Sequence, residues 1–353
     1  MGEPNFAKWN PLGKANVNET LKYGESMNLD QLLKNHWVVK SVIIIIIYYI
    51  VTSLISRVKA SIYFHPSIGG IEIKSLKNMY GGSDSKTSGK INLDYFWNQT
   101  EDLYLDHNQN NNSTKNIDKN HKIHMWNHRS VVGSVASNNN KNRKLIIYSH
   151  GNAGNLLNRV DFFIKLSKQI KDAKSAIDWV AYDYSGFGNS HGEISEEQAY
   201  KDGTLVINEF IKNGYEKKNI ILWGESIGCP ISLHLGDKFN IHNLIVQSGP
   251  SSMTDMAEAL FGYCASRCLS PIIGNDLSSE YYLNNIINSS SGLPRPNILF
   301  MHSEDDEIVP YSQAVKLSKI CGWSSELHRV SGGHNGTIIG DDIWTKIERF
   351  ILK

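Results

Sequence analysis

Apolar and polar residues change rhythm along this chain, and the changes predict its elements. Residues 1–36 are mostly polar and without period, the composition of a tail that buries too little apolar surface to order itself. An uncharged run follows, Val42-Ile43-Ile44-Ile45-Ile46-Ile47-Tyr48-Tyr49-Ile50-Val51, with Lys40 before it and Arg57 and Lys59 after it. With its flanks it occupies residues 37–56, about the ~20 residues a helix needs to cross a bilayer. Lys40 can extend its ammonium to the headgroups, and Trp37 suits the interface. So many isoleucines would also suit a buried strand, but the run is long for one. A cleaved leader is disfavoured, because the run starts far from Met1 and ends in Ser56-Arg57-Val58-Lys59 instead of small residues. Lys22, Lys34 and Lys40 balance Arg57, Lys59 and Lys74, so charge assigns no orientation.

Residues 57–93 are irregular, with Gly69-Gly70 and Gly81-Gly82, and read as a connecting segment. Residues 94–353 read as one domain. Apolar pieces at 93–97, 102–105 and 123–126 predict early strands, interrupted by an Asn-rich insertion at 108–120 and followed by a polar loop at 137–144. From Leu145 short apolar strands alternate with helical spacing, the rhythm of a mostly parallel sheet covered by helices on both faces. Strands are expected at 145–148, 179–182, 219–223, 244–246, 298–301 and 326–330. Helices are expected at 156–170, at 195–212 with Ser195 as cap, after the 219–223 strand to about Phe239, after Pro310, and at 342–352.

Composition narrows the class. The 353 residues are 41% hydrophobic and 20% charged, enough for a sizeable core, and the formal net charge is +1. No basic excess points to nucleic acid. Cys229, Cys264, Cys268 and Cys321 have neither disulfide-framework nor zinc spacing. Cys264 and Cys268 stand four apart on a common helix face and read as buried small apolar residues in preference to a redox pair.

The chemistry centres on Gly224-Glu225-Ser226-Ile227-Gly228, which follows an apolar strand and opens a helix. This is the form of a nucleophile elbow, in which small neighbours let the chain turn sharply and present the serine hydroxyl at a helix N-terminus. A base is expected in a loop after the last strand, where Gly332-Gly333-His334-Asn335-Gly336 stands. His334 would take the proton of Ser226 and return it to the leaving group. The loop Ser303-Glu304-Asp305-Asp306-Glu307 offers four carboxylates to orient that imidazole. Asp306 is preferred, because the apolar Ile308-Val309 anchor the chain soon after it, and Asp305 is the alternative. The backbone amide of Ile227 and one from His150-Gly151-Asn152-Ala153-Gly154-Asn155, chiefly Asn152, would form an oxyanion hole. Asp183-Tyr184-Ser185-Gly186-Phe187-Gly188 lacks both the Gly-Lys-Ser/Thr and the Gly-x-Gly-x-x-Gly pattern, so it reads as a structural turn and no nucleotide or other cofactor is expected.

These motifs together resemble the ABHD-type α/β-hydrolases, in particular the membrane-anchored branch with the fungal bud-emergence-related hydrolases and serine aminopeptidase-like domains. The resemblance covers Asp94 to the C-terminus. Two positions depart from it: Ser303 replaces a usual glycine, and Gly336 stands where relatives commonly carry an acid. The resemblance implies an α/β-hydrolase fold with a short lid, Ser226 as nucleophile, His334 as base and Asp306 as acid. It also implies an ester or thioester substrate, since relatives include protein depalmitoylases. Met253, Met256, Leu260 and Phe261, between the elbow and the acid, make an apolar face suited to an acyl chain or simply to core packing. The expected partners are therefore an acylated protein or lipid and a membrane, with a single-pass location in the endoplasmic reticulum or plasma membrane. An amidase or peptidase would use the same triad, and a silent hydrolase fold would serve as a binding protein. Asn98, Asn112, Asn288 and Asn335 head Asn-x-Ser/Thr sequons that matter only if the domain faces a secretory lumen.

Overall fold

The computed structural model of the chain describes residues 36–70, 72–80, 93–106, 122–130, 140–171, 176–289, 296–322 and 325–353. The expected tail over 1–35, the Gly81-Gly82 stretch, the Asn-rich insertion with its sequon at Asn112, and the start of the 137–144 loop lie outside the described residues. The chain divides into two compact units, Met1–Val58 and Lys59–Lys353. The apolar run lies in α1 (His36–Tyr63). Its Val39–Tyr63 portion, 25 residues, is long and apolar enough to cross a membrane, and none of it is buried.

The second unit is built on an eight-stranded sheet. In chain order its elements are α2 (Ile73–Tyr80), α3 (Leu93–Gln99), β1 (Thr100–Asp106), β2 (Lys122–His128), β3 (Lys144–Ser149), α4 (Val160–Lys171), β4 (Ile177–Tyr182), α5 (Glu196–Lys212), β5 (Ile220–Glu225) and α6 (Gly228–Phe239). There follow β6 (Asn243–Gln247), α7 (Met253–Phe261), α8 (Tyr263–Ile273), α9 (Ser279–Ser289), β7 (Asn297–Ser303), α10 (Tyr311–Cys321), β8 (Ser325–Val330) and α11 (Asp341–Leu352). The strands lie in the order β1-β2-β4-β3-β5-β6-β7-β8. β1 and β2 join antiparallel, and every pairing from β4 to β8 is parallel. Ser195 caps α5 as expected, accepting from the Gln198 amide at 3.1 Å.

Strand alternation divides the core in two. Leu145, Ile147, Ile220 and Leu222 face a cluster with Val206, Phe210, Leu233, Leu283 and Leu317, from α5, α6, α9 and α10. Ile146, Tyr148, Ile221 and Trp223 face the other cluster, with Phe163, Ile164, Ile343 and Phe350, from α4 and α11. Both faces of the sheet are thus covered, which is why the central strands are continuously apolar.

Three expectations need correction. Residues 93–97, read as a strand, belong to helix α3. In a strand Phe96 and Trp97 would point to opposite faces; here both are buried in one cluster, with ring centroids 4.6 Å apart and Phe96 stacked on Trp179. A short aromatic run carries too few positions to separate the two periods. The segment read as a mere connection also contributes to the fold: Phe64, Ile73 and Leu76 are buried. Cys264 and Cys268, expected inside, are exposed on α8. The inner positions of the α7–α8 hairpin go instead to Ala257 and Ser266.

One buried network ties the antiparallel edge to the loops above the sheet. His124 of β2 lies between Asp102, at 3.0 Å from Nε2, and Asp183, at 3.0 Å from Nδ1. Asp183 also accepts from the Leu156 amide at 3.0 Å, and Asp102 from the Ile73 amide at 2.6 Å. Burial alone would lower the imidazolium pKa, but the two carboxylates outweigh it and raise the value to about 9. The folded state therefore holds this proton more tightly than the unfolded chain, whose histidine titrates near 6.5. The stabilisation is complete below about pH 6.5 and is lost as the pH rises through about 9, for a change of about 3 kcal/mol. Denaturant melts at pH 6 and pH 9.5 should show that loss, and His124→Gln should remove that part of the pH dependence whatever its effect on absolute stability. An identical pH profile in the two proteins would refute the assignment.

Candidate active site

The elbow forms where β5 ends and α6 begins. Ser226 adopts a φ of 52°, a left-handed conformation that costs a non-glycine residue about 1–3 kcal/mol and is kept only when its surroundings impose it. The surroundings do so. The Ser226 amide donates to the Gln247 carbonyl of β6 at 2.8 Å, and the Cys229 amide donates to the Ser226 carbonyl at 2.9 Å. Gly228 has no space for a side chain: a Cβ there would strike the Ser149 carbonyl oxygen at the end of β3.

Ser226 Oγ stands 2.9 Å from His334 Nε2. His334 Nδ1 stands 2.8 Å from Asp306 Oδ2. The histidine comes from the loop between β8 and α11, whose tight path needs Gly332: its φ is 87°, and a Cβ would collide with the Gly336 carbonyl oxygen. The structure thus brings Ser226, His334 and Asp306, from three loops at one end of the sheet, into a single hydrogen-bonded line. Asp305 is exposed, and its amide donates to Ser303 Oγ at 3.1 Å, so the serine in place of the usual glycine closes the turn.

The Asp306 carboxylate is fully engaged. Oδ1 accepts the Ile308 and Val309 amides at 3.0 and 2.8 Å, and Oδ2 also lies 3.2 Å from His302 Nε2. Burial would raise its pKa, but the hydrogen bonds from His302, His334 and Val309 outweigh that and hold it well below the usual carboxylate range. With Oδ2 ionised, the imidazole is fixed with its proton on Nδ1 and its lone pair on Nε2 facing the serine. Glu307 adds a restraint from the same loop, accepting the His334 amide at 3.0 Å.

The His150–Asn155 stretch lies against the serine. A Cβ built on Gly151 would meet Ser226 Cβ at 3.3 Å. Ile227 is buried at the N-cap of α6, and Asn152 is half-buried with its side-chain oxygen accepting the His65 amide at 2.7 Å. His150 sits beneath, with its ring Nδ1 2.7 Å from the Gly151 carbonyl and the Tyr184 hydroxyl donating to its own carbonyl at 2.7 Å. Burial, then the neighbouring Arg159 charge, lower its pKa to about 4, so this ring is neutral and donates from Nδ1. The Asp183–Gly188 turn buttresses this loop through Tyr184 and Asp183.

Sequence reasoning passed over the group that holds the loop. Glu225, the unassigned residue of the elbow, accepts from Arg159 Nε at 2.7 Å, from the Tyr148 hydroxyl at 2.8 Å and from the Gly151 amide at 3.2 Å, all on Oε2. Arg159 Nη1 donates onward to the Ala153 and Asn155 carbonyls, each at 3.1 Å. Burial opposes the Glu225 charge, yet Arg159 and the hydrogen bonds win and lower its pKa to about 2. The signal was available only as an acid inside Gly-x-Ser-x-Gly.

The four residues suggested for an acyl chain separate along α7. Met253 and Met256 are half-buried, and Met256 Sδ accepts from Gln313 Nε2 at 3.1 Å. Leu260 and Phe261, in the last turn, are 61% and 67% exposed. Among the described residues, no group of three or more His, Cys, Asp or Glu side chains is arranged to hold a metal ion.

Comparison with known proteins agrees with the topology. A family model described as the alpha/beta hydrolase fold matches residues 144–263, which hold β3, β5 and the elbow. The uncharacterized protein R595 of Acanthamoeba polyphaga mimivirus is 28% identical over 236 residues, 62% of this chain and 77% of that protein. Protein bem46 of Schizosaccharomyces pombe is 28% identical over 228 residues, 62% of this chain and 71% of its own. Alpha/beta hydrolase domain-containing protein 17B of Xenopus laevis is 26% identical over 210 residues, 59% of this chain and 66% of that protein. The strand order and the match over residues 144–263 together show that this chain has the α/β-hydrolase fold. Within that class it is similar to bem46 and to the ABHD-type hydrolase domain proteins.

Proposed function

We propose that this protein is a membrane-tethered serine hydrolase that cleaves acyl esters or thioesters, with protein depalmitoylation as the kind of reaction it performs. The observation that carries the reading is the line Ser226 Oγ, His334 Nε2, His334 Nδ1, Asp306 Oδ2, with hydrogen-bond distances of 2.9 and 2.8 Å. Ser226 Oγ attacks the acyl carbon as its proton passes to His334 Nε2. The carbonyl oxygen becomes an oxyanion held by the backbone amides of Ile227 and Asn152. The bond to the leaving oxygen or sulfur breaks, and His334 returns its proton to that atom. A water molecule then gives its proton to His334 and attacks the acyl-Ser226 ester, releasing the acid and restoring the serine. Asp306 stays ionised throughout and steadies the imidazolium.

Supporting the tether is α1, whose apolar length matches a bilayer. Met253, Met256, Leu260 and Phe261 give α7 the apolar character that an acyl chain needs. Labelling with a fluorophosphonate tests the chemistry: the wild type is expected to label and Ser226→Ala to remain unlabelled. Labelling that persists in Ser226→Ala, or none in the wild type, overturns the reading. Turnover of a set of acyl thioesters, esters and amino-acid amides then separates the proposed substrate class from an amidase.

A further inference from the structure

The α7–α8 hairpin presents an apolar surface that neither the triad nor the core uses. Leu260, Phe261, Tyr263 and Ile272 are 61%, 67%, 63% and 52% exposed, and Leu269 joins them at 36%. Large apolar side chains rarely cluster on the outside of a folded domain without an occupant. From Ala259 to Ile273 the only charged residue is Arg267, a cation, and acids are absent. Two aromatic residues, Phe261 and Tyr263, flank the Gly262 turn at the tip. This is the composition of a segment that lies in a membrane interface: apolar and aromatic, with a basic group for anionic headgroups.

The chain itself says which occupant is at hand. The folded unit begins at Lys59, and Lys59 Nζ pairs with Asp276 Oδ2 at 2.6 Å. The Tyr63 hydroxyl also lies 3.4 Å from Asp276 Oδ2. Asp276 follows α8 by three residues, so the start of the unit is fastened at the foot of the hairpin. Lys59 lies one turn before the end of the Val39–Tyr63 apolar helix, and a charged residue near such an end settles at headgroup level. We propose that the α7–α8 hairpin is a second membrane contact that dips its apolar tip into the same bilayer, by about 5–10 Å as interfacial helices do. This rests on reading α1 as a membrane anchor. It would give the acyl chain of a lipidated substrate a path out of the bilayer along α7, without leaving apolar surroundings.

Cys264 and Cys268 supply native reporters, since both are exposed while Cys229 and Cys321 are buried. The full chain would be reconstituted in phosphatidylcholine–phosphatidylserine vesicles with nitroxide labels on these two thiols. A Lys217→Cys label, in the short turn before β5, serves as an aqueous control. Flotation with the vesicles tests the anchor separately. The expected result is that the hairpin labels collide several-fold more with oxygen than with a water-soluble nickel chelate, and the control label shows the reverse. Flotation with hairpin labels as exposed to the nickel chelate as the control overturns the hairpin contact and leaves the anchor standing. Labels shielded from both quenchers mean a protein partner or a second copy covers the hairpin, and also overturn it. Failure to float removes the anchor and this proposal with it.

Discussion

Ser226→Ala is expected to lower turnover of an acyl ester or thioester by about 10⁴–10⁶-fold, with little change in stability. Loss of the nucleophile or base of such a triad removes nearly all catalysis that depends on the unit, and what remains comes from substrate binding and oxyanion stabilisation. His334→Ala should fall in the same range, and the double variant should be no worse than either single one, because the groups act together. The acid is the more discriminating case. Asp306→Ala removes the acceptor 2.8 Å from His334 Nδ1 and should cost about 10⁴-fold. Asp305→Ala, at an exposed side chain one residue away, should stay near wild type. Since Asp306 is held well below the usual carboxylate range, it should not contribute the acid limb of the pH–rate profile. Equal losses at Asp305 and Asp306 in steady-state assays would contradict the assignment.

The second large effect is expected at Glu225, which touches no reacting atom. Glu225→Gln leaves the Arg159 guanidinium without its charge partner in a largely enclosed site. Breaking a buried ion pair from one side typically costs about 3–5 kcal/mol. The side chains retain 12% and 22% exposure, so solvent screening places the loss near about 3 kcal/mol or below. Catalysis should suffer as well, because Glu225 Oε2 holds the Gly151 amide while Arg159 holds the carbonyls of Ala153 and Asn155. Loosening that loop should displace the Asn152 amide and lower kcat by about 10–10³-fold with a smaller change in KM, up to the effect of losing one oxyanion donor. Combining Glu225→Gln with Arg159→Met removes the stranded charge. Urea denaturation should then show partial recovery of stability, while kcat should stay low. Recovery of both together would mean Glu225 acts only through folding.

Much of this architecture could be read in the chain. Strand-to-helix alternation from Leu145 onward follows from local periodicity, and the covering of both sheet faces follows from strands with no polar side. The order Ser226, Asp306, His334 is likewise a property of the sequence. The resemblance to ABHD-type hydrolases added a fold that the strand order and family match agree with.

What the sequence by itself determined, then, is the element rhythm, the elbow at Ser226, the glycine-flanked His334 and the apolar length of α1. Each is written in neighbouring residues, as a period or a tight turn. Tertiary structure decided between Asp306, which the sequence already preferred, and Asp305, because which of them meets the imidazole depends on how the loops after β7 and β8 converge. It alone paired Glu225 with Arg159, 66 residues apart, and turned Phe96 and Trp97 into one aromatic cluster. It also left Cys264, Cys268 and the tip of α7 outside. At such positions local preference is nearly balanced, and the outcome is set by contacts between distant segments, which a linear pattern does not carry.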